Sequence, residues 1–293
     1  MKTSVSLYAS IVISFLLLGC HDDGELSPDA PVAVDPPIFG TITTGKIVQY
    51  HDQDGLRQDL SGAAVGEHVV FVDDGGSPSD LSGVLIGSVS EDPPETQLFT
   101  ELHRDLEGAT FGNGYYVATT SLSDSTDIAY RRLTRFRIDA ANQIVEAESV
   151  DIRDVLMEGL RVEFGDAWYD RIKDEPAKSG GLNIEGISRT EEDGQELVWG
   201  LRSPLSGEDF GNPDTDPTTT LERGLAIVAV VDDAFAATPM FRFATLDLGG
   251  HGIRGIEWIP AMGAYVLIGG PVPKADGYTL WTWLGPDRGA LRA

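Results

Sequence analysis

The chain has 293 residues, with 21 Lys and Arg against 47 Asp and Glu, giving a formal charge of −26 and a pI near 4.3. That balance excludes a nucleic-acid partner, because a phosphate-neutralising protein needs a basic face. Hydrophobic residues at 41% and charged residues at 23% match a globular chain and exclude a disordered acidic tail. The single cysteine excludes an internal disulfide framework.

The first element is an address. Lys2 supplies a positive start, Ile11 to Leu18 an apolar run, and Leu17-Leu18-Gly19-Cys20 a lipobox, so residues 1–19 read as a lipoprotein signal peptide. The apolar run is too short to span a bilayer. Cys20 is the expected lipidation site, and the lipid anchor makes the membrane the first expected partner. His21 in the following position leans the localisation toward the outer membrane of a bacterial envelope, facing the periplasm. Residues 20–40 then form a tether. Positions 21–40 carry four prolines and five acidic side chains without a hydrophobic period, the composition of a solvated, locally stiffened linker.

Residues 41–293 are expected to form one β domain built from a repeat. Four copies of an apolar residue, a variable residue, Gly and small residues, followed by an apolar strand, run through it. They are Leu60-Ser61-Gly62-Ala63-Ala64, Leu106-Glu107-Gly108-Ala109-Thr110, Ile184-Glu185-Gly186-Ile187-Ser188 and Ile253-Arg254-Gly255-Ile256-Glu257. Each is followed by a further strand pair, except that the last, after YTLWTWL, lacks a partner. Four strands per unit indicates an all-β fold, a β-propeller of about four blades, closed by an N-terminal strand from GKIVQYHD near residue 48. Five blades, with one hidden in residues 130–180, is the rival count, and a β-sandwich the rival fold.

The repeat glycines are spaced by 46, 78 and 69 residues. The first spacing suits a blade. A short helical insertion near 151–175 lengthens the second, with Ile152, Val155, Leu156, Leu160, Trp168 and Ile172 on its apolar face. The loop 203–222 lengthens the third.

At these residues the sequence resembles the bacterial domain of unknown function 3616 family. The matching stretches are Asp59-Leu60-Ser61-Gly62-Ala63-Ala64, DLEGATFGNGYYVATTSLS from Asp105, GGLNIEGI from Gly180, LVWGLRSPL from Leu197, LDLGGHGIRGIEW from Leu246, and YVLIGGPV followed by YTLWTWLG. They follow family order over residues 55–285. The resemblance implies a propeller-like fold in an extracytoplasmic setting and assigns no particular activity. Two departures are the longer loop from Ser203 to Glu222 and the chain end at GALRA.

In a propeller, Ser61, Glu107, Glu185 and Arg254 would occupy equivalent positions at the mouth of a central channel. Asp73, Asp74, Ser121, Ser123, Asp124, Arg202 and Ser203 would ring them, with His103 and His251 entering from adjoining loops. Convergent polar groups at a concave mouth form the expected ligand-binding site, above all Glu107, Glu185, Arg202, Arg254, Asp73 and Asp74. The competing structural reading pairs Glu185 with Arg202 or Arg254 to hold neighbouring blades together. Calcium is the cation to test, at Glu107 and Glu185 or in the loop holding Asn212, Asp214 and Asp216, because carboxylates suit a hard ion. That loop lacks the Gly and the final Glu of an EF-hand.

No Gly-x-Ser-x-Gly, His-Glu-x-x-His, P-loop or dinucleotide fingerprint is present. Trp281, Trp283, Tyr115 and Tyr116 read as packing residues. The leading expectation is a lipid-anchored binding module for an envelope protein, glycan or small molecule. A metal-assisted propeller hydrolase of the esterase, lactonase or phytase kind, with a metal-bound water attacking, is the alternative.

Overall fold

A computed structural model describes residues 60–74, 82–87, 96–97, 99, 103–190, 195–206, 224–272, 277–286 and 291–292. The expected signal peptide, Cys20, the expected tether, the segment near residue 48, and Asp214 and Asp216 lie outside the described residues.

The chain forms four sheets, each an antiparallel four-stranded meander in chain order. The first holds β1 (Leu60–Val65), β2 (Val69–Asp73), β3 (Gly83–Gly87) and β4 (Thr96–Gln97). The second holds β5 (Leu106–Gly112), β6 (Tyr115–Thr120), β7 (Arg132–Ile138) and β8 (Ile144–Asp151). The third holds β9 (Asn183–Arg189), β10 (Leu197–Ser203), β11 (Ala226–Val231) and β12 (Phe241–Leu246). The fourth holds β13 (Gly252–Ile259), β14 (Ala264–Gly270), β15 (Thr279–Trp283) and β16 (Leu291–Arg292). Each repeat copy is thus a first strand and each apolar run a second.

Two expectations change. The last unit has a fourth strand: β16 pairs with β15 through Thr282–Arg292 and Trp283–Leu291. A hairpin partner a few residues downstream is reached over a shorter closed loop than a segment more than 200 residues upstream, so closure entropy favours it. β16 fills the fourth-strand place where an N-terminal strand was expected, and the segment near residue 48 lies outside the described residues. Residues 130–180 also contain no separate sheet, since they supply β7, β8 and two helices, α1 (Arg153–Phe164) and α2 (Asp166–Ile172).

The helical insertion lies where its periodicity put it. Ile152, Leu156 and Leu160 recur every four residues and are buried, as are Trp168 and Ile172. Val155 departs from the expectation. It is 38% exposed and shares its helical face with Val162, seven residues on, at 75%. Gly159 brings α1 against Phe243 of β12, where an added Cβ would lie 3.1 Å from the ring.

Three apolar cores join successive sheets. Val70, Val72, Val84 and Ile86 meet Leu106, Ala109, Tyr116 and Phe136 between the first and second. Val117 and Leu133 meet Ile187, Trp199, Ile227 and the two helices between the second and third. Val198, Val228 and Val230 meet Ile253, Tyr265, Leu267 and Trp283 between the third and fourth. β11 is buried at all six positions, which explains its unbroken apolar run AIVAVV. Among the described residues no core joins the fourth sheet to the first.

The first strands pack side by side, β1 on β5, β5 on β9 and β9 on β13. The repeat glycines permit that approach. A Cβ on Gly62 would sit 2.8 Å from Gly108 Cα, one on Gly108 2.9 Å from Ile187 Cγ2, and one on Gly186 2.8 Å from Ile256 N. The series stops at Gly255, whose nearest neighbour would be Ile268 of its own sheet at 3.4 Å.

Candidate functional site

In all four sheets the pairing of the first and second strands shifts at the residue before the repeat glycine. Leu60 pairs with Asp73 and Gly62 with Val72, skipping Ser61. Leu106 and Gly108 pair with adjacent residues, skipping Glu107. Gly186 and Ile184 face Gly200 and Leu201, skipping Glu185. Ile253 and Gly255 skip Arg254. Such a bulge leaves one residue out of the ladder and re-aims its side chain. The antiparallel neighbours end beside the bulges, so Asp73, Asp74, Ser121, Ser123, Arg202 and Ser203 lie at the same end of their sheets.

Side-chain and backbone bonds fasten the sheets together at this end. Ser61 Oγ donates to Leu106 O at 2.6 Å, tying the first sheet to the second. Ile184 N donates to Ser121 O at 2.9 Å, tying the second to the third. Glu185 ties the third to the fourth. Its Oε1 accepts from Arg202 Nη1 at 2.6 Å, and Arg254 Nη1 reaches both of its oxygens at 3.0 and 2.9 Å. The three side chains are only 11%, 13% and 10% exposed, in the order Glu185, Arg202, Arg254.

The arginines are further committed to backbone oxygens after β14. Arg202 Nε and Nη2 donate to Val272 O at 3.1 and 3.0 Å, and Arg254 Nη2 to Pro271 O at 2.6 Å. Arg254 Nε is buried without a partner. The pairing expected as the structural alternative for Glu185 is therefore present, with both arginines at once.

Glu107 is placed like Glu185 but surrounded differently. It keeps partial surface access, and no hydrogen bond or ion pair reaches its carboxylate from the described residues. Desolvation, reinforced by Glu185, Asp105 and Asp74, holds its pKa well above the usual carboxylate range against the smaller pull of Arg202. Asp105, at φ +59°, turns the chain into β5; a left-handed conformation is one that Asp tolerates. Burial also raises its pKa, opposed by Ser121 and Ser123. Ser123 Oγ donates to Asp105 Oδ2 at 3.4 Å, and Ser121 Oγ to Ser123 Oγ at 2.7 Å.

Several expected members serve elsewhere. His103 is buried, bonded through Nε2 to Thr134 Oγ1 at 2.6 Å and packed on Phe99, inside the core between the first two sheets. Asp124 accepts from the Thr126 and Asp127 amides of its own turn at 2.7 and 2.9 Å, which lowers its pKa. Ser203 is fully buried and donates to Gly181 O at 2.6 Å. His251 precedes β13 with its Nδ1 buried and without a hydrogen bond. Trp283 and Tyr116 pack in cores, the latter donating to His68 O at 2.9 Å. Tyr115 lies under the Arg137 guanidinium at 4.2 Å.

Sequence reasoning missed Asp105 and the carbonyls of Pro271 and Val272. Asp105 carried a signal, since Asp59-Leu60-Ser61-Gly62 and Asp105-Leu106-Glu107-Gly108 share the same leading acid. The carbonyls carried none, because any residue supplies one.

Among the described residues no group of three or more His, Cys, Asp and Glu is gathered to hold a metal ion, and Glu185 has both oxygens engaged by arginine. What the arrangement offers is a carboxyl at Glu107 without a hydrogen-bond partner among the described residues, with Asp105, Asp74 and Glu185 acting on it electrostatically. Compared with known proteins, the chain matches no family model and no curated sequence.

Proposed function

We propose that the protein is a lipid-anchored module of the bacterial envelope, related to the domain of unknown function 3616 family, that binds a ligand at the end where its four bulges meet. In this reading the four sheets are blades around an axis and the bulged residues ring the mouth of a channel. The observation that carries it is the recurrence of one bulge at four equivalent positions, with three ionisable side chains among the four. A bulge costs ladder pairing, and its repetition at one end fits a surface shaped for recognition. The lipobox ending in Cys20 supports attachment to the membrane, with the outer membrane as the proposed leaflet and a glycan, small molecule or envelope protein as the proposed ligand.

Glu107 decides the test, because it belongs to this end without tying sheets together. Melting curves of the chain are compared across envelope glycans, small metabolites and calcium, for the wild type and Glu107→Gln. A true ligand at a hundred times its dissociation constant adds about 2.7 kcal/mol of stability. The expected result is a stabilising ligand whose shift disappears in the variant. Ligand shifts that all survive Glu107→Gln would overturn the reading.

A further inference from the structure

We draw no further inference here: the strongest candidate, the apolar face of the fourth sheet turned away from its packed core, where Ile268 of β14 pairs with the 45% exposed Leu280 of β15, carries nothing because nothing in the structure shows what covers it.

Discussion

Glu107 and Glu185 stand at equivalent bulges in adjacent sheets and do opposite things. Glu185 is an ion-pair hub. Removing its charge strands two largely buried guanidinium groups, so Glu185→Gln should destabilise by about 3–5 kcal/mol in urea unfolding, the cost of breaking a buried pair from one side. Glu107 carries a burial cost without a bond to offset it. Its raised pKa means that the folded state holds a proton the unfolded state has lost, so stability falls as pH rises from about 4.5 through the folded value. Glu107→Gln should leave the melting temperature at acid pH unchanged and flatten that fall. A steeper fall in the variant, or an intact Glu185→Gln protein, would contradict the assignment. The equivalence of the two positions was legible in the repeat. Their difference was not, because it depends on arginines 17 and 69 residues from Glu185.

Among elements, the first strands are set apart by small residues where sheets converge. Gly186 and Gly255 look alike in sequence, and the structure separates them. A Cβ at Gly186 meets the backbone nitrogen of Ile256 at 2.8 Å, which no rotamer change relieves, whereas at Gly255 it meets Ile268 Cδ1 at an ordinary 3.4 Å. Gly186→Ala should cost about 1–3 kcal/mol, as overpacking does, and Gly255→Ala should be nearly neutral in the same melting experiment. Equal losses would mean that Gly255 also faces a close neighbour. The helical insertion was readable from its four-residue spacing at Ile152, Leu156 and Leu160. Val155 was misassigned because periodicity admits i+3 neighbours, while the real face runs toward Phe241 and Phe243.

Across the whole molecule, among the described residues, the second and third sheets have packed cores on both faces, and the first and fourth each have a packed core on one face only. The open side shows in Tyr278 and Leu280, 54% and 45% exposed. Glu257 on β13 is exposed as a residue, while desolvation of its carboxyl pushes its pKa up to about 7. Amide exchange should therefore be slowest in β6, β10 and β11 and faster in β15, following local burial. Uniform protection across all four sheets would instead mean that the outer faces are covered as well.

Local chemistry was enough to determine the repeat, four strands per unit, the insertion and the polar residue before each glycine, because alternation, turn residues and helical spacing are properties of neighbouring positions. The proposed lipid address at Cys20 rests on the sequence alone. Only the tertiary structure decided that β16 fills the last sheet, that Glu185 is held by two arginines, and that Glu107 is left with none. Those outcomes depend on which distant groups share a small enclosed volume, and on which charges that volume has room to pair.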